Sequence, residues 1–200
     1  WSLRPLERYM SKHFYPLRLV ELMPSDPRVR LLEYSTVAAP DSGTPPALEL
    51  SLPVEFGEGI QLDGLTLPAG TVYVPGDALP VTLHWSARAQ VGADIIVGLF
   101  LADAYGSNVV FVDGVLVQGY DTPPVGGFRP TSEWVVGQPV LDNRALRLPD
   151  GLPAGSYRLA VRLYTFNAAG EIVTLPVSGE TVLSDDIALL PPVIDVEPGS

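Results

Sequence analysis

The pattern of apolar and polar positions changes character near residue 46 of this 200-residue chain. From Ala47 onward, short segments alternate apolar and polar residues with a period of two, which is typical of strands with one buried face. The clearest is Val81–Arg88, where odd-numbered residues are apolar and even-numbered residues are polar. Ile95–Leu101 is apolar at nearly every position, so we expect a central strand that is buried on both faces.

About nine such segments follow one another at near-regular spacing, without a helical period among them. Turn residues separate them, for example Asp113-Gly114, a pair that favours a tight hairpin turn. Prolines and glycines are dispersed along the chain, as expected for many short strands joined by turns. The pattern therefore predicts a mainly β fold, a two-sheet antiparallel β-sandwich of immunoglobulin-like or jelly-roll-like type.

Residues 1–45 have a different pattern. Ser2 can cap a short helix that ends before Pro16, with one face formed by Leu3, Leu6, Tyr9, Met10 and His13. Two strand candidates follow, Leu17–Leu22 and Arg28–Tyr34, and then a linker, Ala38–Pro46. Such a unit is too small for a core of its own, so we interpret 1–45 as the end of an upstream α/β module and 46–200 as the β-sandwich domain. Because the chain opens at Trp1, we expect it to be a piece of a longer protein.

Composition excludes several classes of function. The net charge of −11 opposes binding to nucleic acid and to anionic membranes. The absence of cysteine excludes disulfides, thiolate chemistry and cysteine-based metal sites. No apolar run approaches the ~20 residues of a membrane span, so we predict no insertion of this segment into a bilayer.

The candidate catalytic residues do not form a recognisable set. His13 and His84 are the only histidines, and neither has metal-ligand spacing around it, so we predict no metal and no cofactor. A nucleophile-elbow motif is also missing. Asp and Glu are numerous, but most lie in turns, where Asp forms local hydrogen bonds. A glycoside hydrolase with two loop carboxylates remains one hypothesis, and it requires the two to face each other across a cleft.

The most distinctive segment is Tyr120–Trp134, YDTPPVGGFRPTSEW. A connector of this length, stiffened by three prolines, often carries function. Its aromatic residues could stack on sugar rings; alternatively, they fold down as a lid over the end of the sandwich. If the domain binds a ligand, we expect the aromatic surface and its polar partners to come from Tyr120, Asp121, Phe128, Arg129 and Trp134.

The loop and its flanks resemble a known family. The matching features are DTPPVGG, P-T-S-x-W, the segment G-x-x-V-x-D at Gly137–Asp142, and L-P-x-G-x-Y-R-L at Leu152–Leu159. Upstream, PGDALPVTLHW at Pro75–Trp85 also matches. Together they resemble the C-terminal soluble region of bacterial multi-spanning glycosyltransferases, the dolichyl-phosphate-mannose–protein mannosyltransferase-like and aminoarabinose-transferase-like enzymes of Chloroflexus-type bacteria. The resemblance runs from about Trp1 to Leu190.

This resemblance implies a non-catalytic accessory domain at the extracytoplasmic face of the bacterial cytoplasmic membrane. Catalysis in such enzymes is attributed to their membrane portion, so no catalytic residue transfers to this chain. The implied partners are a glycan or protein acceptor and the membrane-embedded part of the parent protein. Two alternatives are a stand-alone carbohydrate-binding module and a protein-interaction β-sandwich.

Overall fold

The structure, a computed structural model, describes residues 4–22, 30–39, 50–179 and 182–199. The predicted cap Ser2, the helix-face residue Leu3 and most of the predicted linker lie outside these residues. One α-helix, α1 (Arg4–His13), is followed by fifteen strands in the described part of the chain. They are β1 (Phe14–Glu21), β2 (Arg30–Ala38), β3 (Leu50–Phe56), β4 (Ile60–Thr66), β5 (Val72–Tyr73), β6 (Ala78–Ala87), β7 (Ile96–Asp103), β8 (Phe111–Val112), β9 (Val115–Leu116), β10 (Pro139–Arg147), β11 (Gly155–Phe166), β12 (Ile172–Thr174), β13 (Val177–Gly179), β14 (Val182–Ser184) and β15 (Ile187–Val196).

Two sheets form a β-sandwich, which confirms the predicted fold class. The first sheet is antiparallel, with the strand order β10-β6-β4-β3-β13. The second is built around β11, which pairs antiparallel with β7, β12 and β15. β15 in turn pairs with β14, and it pairs in parallel with the short β5.

The core lies between the two sheets. On β6 the apolar side chains of Val81, Leu83, Trp85 and Ala87 are fully buried there, as the alternation predicts. β11 contributes its own alternating apolar set to the same cluster. Because both inner faces are apolar, joining them removes a large hydrophobic area from water, and this burial is the main force that holds the sheets together.

The opposite face of β6 differs from the simple expectation of a polar, solvated face. Thr82, His84 and Ser86 are also buried, because other parts of the chain cover the outer side of the first sheet. The antiparallel pair β1-β2 packs over β6 and β10, where Tyr15 and Leu17 form a small cluster with Ala145. A buried polar chain fixes this contact: the Tyr15 hydroxyl lies 2.9 Å from Thr82 Oγ1, which donates to Asn143 Oδ1.

The segment between β7 and β10 folds over the outer edge of β7. Isolated antiparallel bridges join Ala102 to Val109, Phe100 to Gln118 and Val97 to Thr122. Within the segment, β8 and β9 form a hairpin around Asp113 and Gly114, both in the left-handed region, as the sequence predicts. The long loop 120–134 therefore starts from a point that is anchored to the second sheet.

Candidate binding groove

A buried ion pair holds the start of the long loop against the sandwich. Arg144 and Asp142 lie on β10 and point between the sheets, with Arg144 Nε 2.6 Å from Asp142 Oδ2. The guanidinium also donates to three backbone oxygens, those of Val97 at 2.9 Å, Tyr120 at 3.2 Å and Thr122 at 2.8 Å. Arginine can do this because it carries five donors in a rigid plane. The pair therefore links the two sheets to each other and to the start of the loop.

The second carboxylate oxygen of Asp142 shapes the loop tip. It accepts a hydrogen bond of 2.7 Å from the backbone N–H of Val125. Val125, Gly126 and Gly127 all have positive φ angles, of 58°, 63° and 83°. This conformation is unusual for a β-branched residue and costs about 1–3 kcal/mol. Asp142 therefore stabilises a strained turn, and the two glycines that follow are needed for the same geometry.

The turn brings the loop against helix α1. A Cβ atom added to Gly126 would lie 2.7 Å from the Ser11 hydroxyl oxygen, so only glycine allows this close approach. Ser11 is buried, and its hydroxyl lies 3.2 Å from the Tyr34 hydroxyl on β2. The loop, the helix and the hairpin β1-β2 thus meet at one place.

Trp134, at the end of the loop, is part of the core. Its side chain is 2% exposed, and Nε1 donates to the backbone oxygen of Arg129 at 2.9 Å. Nearby, Thr131 accepts from the Ile95 N–H and donates to the Ala93 oxygen. This end of the loop matches the lid alternative, and Trp134 offers no free face for stacking on a sugar.

Asp121 lies away from the loop tip, on the outer face of the second sheet. Tyr164 Oη donates to Asp121 Oδ2 at 3.0 Å, whereas Oδ1 is buried without a hydrogen-bond partner in the described structure. Burial raises the pKa of the Asp121 carboxyl, and the Tyr164 hydrogen bond and the charges of Arg144 and Arg162 partly offset that rise. Burial, with the neighbouring carboxylate, raises the pKa of Tyr164 to about 12.

Phe128 and Arg129 face helix α1 across a cavity of about 220 Å³. Arg8 and Lys12 line the helix side, and β10 forms the floor. A wider adjoining cleft shares Arg8, Lys12 and Phe128 with the cavity and extends along the helix past Tyr9. We call the cavity and the cleft together the α1 groove. The remaining lining residues are Val125, Pro139, Val140, Leu141 and Asn143 in the cavity, and Pro5, His13, Gly127, Pro130 and Glu133 in the cleft.

The five residues predicted from the loop therefore do not form one site. Phe128 and Arg129 line the α1 groove. Tyr120 lies on the other side of Phe128, in a smaller cavity of about 60 Å³ bounded by the helix and the hairpin. Asp121 contacts Tyr164, and Trp134 is in the core.

Sequence reasoning missed the helix wall of the groove. Arg8 and Lys12 are about 120 residues from Arg129 along the chain, so no local motif connects them. Their spacing of four residues does place them one turn apart on the same face of a helix, next to the exposed ring of Tyr9. The four-residue spacing could have indicated a basic helix face from the sequence. Which part of the chain lies opposite that face, the loop with Phe128 and Arg129, is known only from the fold.

The described residues lack two further kinds of feature. No group of three or more His, Cys, Asp or Glu side chains is arranged to hold a metal ion there. Among the same residues, no helix is both long enough and apolar enough to cross a membrane.

Comparison with known proteins identifies no family for this chain. No protein-family model and no curated protein matches the chain. Among solved structures, it is similar to a Niemann-Pick type C2 protein from the Japanese carpenter ant, with 8% identity, 70% of this chain and 95% of that chain covered, and a TM-score of 0.38. It is also similar to the C-terminal domain of wzt, with 11% identity, coverages of 78% and 84%, and a TM-score of 0.43.

A third similar structure is the CARDB domain of a Pyrococcus furiosus protein, solved with two metal ions. It is 9% identical, covers 73% of this chain and 90% of its own, and has a TM-score of 0.32. These are β-sandwich domains, as this chain is. Similarity this weak gives no information about the ligand or the activity of this chain.

Proposed function

We propose that this chain is a non-catalytic accessory domain of a membrane glycosyltransferase-like protein, and that it positions a glycan acceptor in the α1 groove. The observation that carries the proposal is the α1 groove itself. It is concave, and it combines aromatic side chains, Tyr9 and Phe128, with hydrogen-bond donors, which is the combination that binds sugars. The family-like run DTPPVGGF supplies one wall of the groove, including Val125 and Phe128.

The way in which the groove is built supports a binding role. The turn at 125–127 is strained, and Asp142 and Arg144 hold it in place from beneath. Strain that the surrounding structure maintains is often found at ligand sites, where it fixes the geometry before the ligand arrives. A groove with fixed walls loses less entropy on binding.

The hydrolase hypothesis has less support from this geometry. Among the described residues, the only carboxylate that lines the α1 groove is that of Glu133. A glycosidase requires two carboxyl groups across a cleft, about 5–10 Å apart. A stand-alone carbohydrate-binding module would use the same groove and differs from our proposal in its context, not in its binding chemistry.

Calorimetric titration of the chain with a panel of neutral and acidic oligosaccharides tests this function. Tyr9→Ala removes an exposed ring from the groove, and we expect it to weaken glycan binding by about 3- to 10-fold, the value of one aromatic stacking contact. Tyr105→Ala is the matched control, because Tyr105 is 91% exposed on a loop outside the groove. Trp134→Ala is unsuitable as a probe because that ring is in the core.

Three results would count against the proposal. Turnover of a lipid-linked sugar or hydrolysis of a glycoside by the chain alone would contradict a non-catalytic role. Failure of every glycan to bind would contradict glycan positioning. Equal loss of affinity in Tyr9→Ala and Tyr105→Ala would show that the glycan binds elsewhere.

A further inference from the structure

The α1 groove concentrates positive charge in a protein that is otherwise strongly acidic. Its inner cavity is lined by Arg8, Lys12 and Arg129, three of the 12 basic residues of a chain that has 23 acidic ones. No acidic residue lines this cavity among the described residues; Glu133 belongs to the outer cleft. The net charge of −11 makes such a concentration unexpected on a surface without a function.

The three cations are also uncommitted. Within the residues that the structure describes, none of their side chains is in an ion pair or a side-chain hydrogen bond. Other basic residues behave differently: Arg30 pairs with Glu7, Arg147 with Glu33, and Arg144 with Asp142. Several basic side chains elsewhere are thus neutralised by carboxylates, whereas these three face the cavity without one.

The walls of the cavity strengthen the field of these charges. Val125, Phe128, Pro139, Val140 and Leu141 also line the cavity and contribute apolar atoms to its walls. Such surfaces exclude water and lower the local dielectric constant, so an anion between them is attracted more strongly than on an open surface. Arg8 and Lys12 approach from the helix and Arg129 from the loop, so an anion in the cavity would be contacted from two sides.

We propose that the ligand of the α1 groove is an acidic glycan, with a carboxylate or phosphate group bound by Arg8, Lys12 and Arg129. This inference rests on the proposed function and specifies the chemistry of its ligand. The sugar ring next to the acidic group lies in the cleft beside Tyr9, which is 56% exposed, and Phe128. The cavity of about 220 Å³ is smaller than a site for a drug-sized molecule, so it holds one acidic group and not a whole oligosaccharide.

Titration with four probes tests the proposal. The probes are an oligogalacturonate, the same oligosaccharide with its carboxyl groups methyl-esterified, mannose 6-phosphate and inorganic phosphate. We expect at least one of the two acidic sugars to bind at least 10-fold more tightly than the neutral ester. Which of them binds more tightly distinguishes a carboxylate from a phosphate. Because charge drives the contact, affinity should fall as NaCl rises from about 20 to 200 mM.

Variants that replace one basic residue with glutamine show which side chains bind the acidic group. Arg8→Gln, Lys12→Gln and Arg129→Gln should each weaken binding of the acidic glycan by about 10- to 150-fold, as expected for loss of a charge-assisted hydrogen bond. Binding of the neutral ester should be unaffected. Arg158→Gln is the matched control: it makes the same change in net charge on β11, and that side chain is hydrogen-bonded to the Pro191 oxygen. Each variant is compared with the unmodified chain by circular dichroism, so that a folding defect is recognised.

The outcomes separate this inference from the function on which it rests. If the neutral ester binds as tightly as the acidic sugars, the acidic-ligand inference is wrong and glycan positioning survives. If inorganic phosphate binds while no sugar does, the groove is an anion site without a glycan and both proposals fail. If Arg158→Gln weakens binding as much as the groove variants do, the effect is one of overall charge and the assignment of the three residues is wrong.

Discussion

At the scale of single residues, the largest consequences follow from Arg144. A buried guanidinium is costly unless its donors are satisfied, and here a carboxylate and three backbone oxygens satisfy them. Removing it would leave Asp142 buried without its counter-charge and would free three carbonyl groups. The stability of the loop and the junction of the two sheets therefore depend on one side chain.

Arg144→Met tests this dependence. We expect the free energy of unfolding to fall by about 3–5 kcal/mol, because the variant leaves an uncompensated charge in the interior. Urea denaturation followed by tryptophan fluorescence measures the change. The double variant Asp142→Leu/Arg144→Met should lose less than the sum of the two single variants, since it removes both charges together. A loss below about 1 kcal/mol for Arg144→Met would contradict a supporting role.

Asp121 allows a test by pH. Because burial raises its pKa in the folded state, the folded protein binds more protons than the unfolded one between the two pKa values. Stability should therefore fall as the pH rises from about 4 through that window, and the penalty is complete above it. Asp121→Asn removes the buried charge and keeps an oxygen for the Tyr164 hydroxyl, so we expect it to raise the free energy of unfolding at neutral pH.

Asp103→Asn is a control variant for which we expect the opposite change in the free energy of unfolding. Backbone hydrogen bonds, above all from Ser107, lower the pKa of the Asp103 carboxyl, so its ionised form stabilises the fold above the unfolded pKa. This variant should be destabilised at neutral pH, and the difference should vanish on acidification below the folded-state pKa. Equal pH profiles for Asp121→Asn and the unmodified chain would show that Asp121 ionises without a penalty.

At the scale of elements, β6 and the pair β1-β2 that covers it show which features a sequence pattern predicts and which it does not. The alternation in β6 and the Asp113-Gly114 turn were predictable, because period and turn chemistry are local properties. The covering of Thr82 and His84 was not, since alternation reports which side of a strand is more apolar and not whether the other side is packed. Likewise, Asp142 and Arg144 look like surface residues until the fold places the loop above them.

The boundary predicted at residue 45 can be tested through Tyr15. Its ring is fully buried against the first sheet, and its hydroxyl contacts Thr82. Tyr15→Ala should lower the free energy of unfolding of the whole chain by about 3–5 kcal/mol, as a large cavity does in a shared core. Near-ultraviolet and far-ultraviolet circular dichroism should still report one transition. Two separate transitions, with only the first shifted, would support an independent N-terminal unit.

At the scale of the whole molecule, the net charge of −11 acts on stability as well as on binding. Acidic side chains spread over a domain of this size repel one another when the solution contains little salt, because the Debye length is then about 30 Å at 10 mM. Folding brings these charges closer together. The compact state therefore carries an electrostatic cost that the surrounding ions can reduce.

We expect the melting temperature to rise by about 2–4 °C when NaCl is increased from about 10 to 150 mM, equivalent to a gain of about 1 kcal/mol. Differential scanning fluorimetry measures the shift. Choline chloride should give the same rise, because screening depends on ionic strength and not on the identity of the cation. A melting temperature that falls with salt would mean that attractive ion pairs outweigh the repulsion.

The segment that leads into the long loop also protects the protein from self-association. β7 is a strand at the border of its sheet, and its backbone groups could pair with a strand from another molecule. They are already occupied: Leu101 donates to the Val117 oxygen, and Gly119 and Val110 donate to the oxygens of Leu99 and Leu101. Arg144 holds this covering segment in place by donating hydrogen bonds to the backbone oxygens of Tyr120 and Thr122. Release of this covering segment would expose the backbone edge of β7, so a weakened Arg144 contact would favour pairing of two folded chains through that edge.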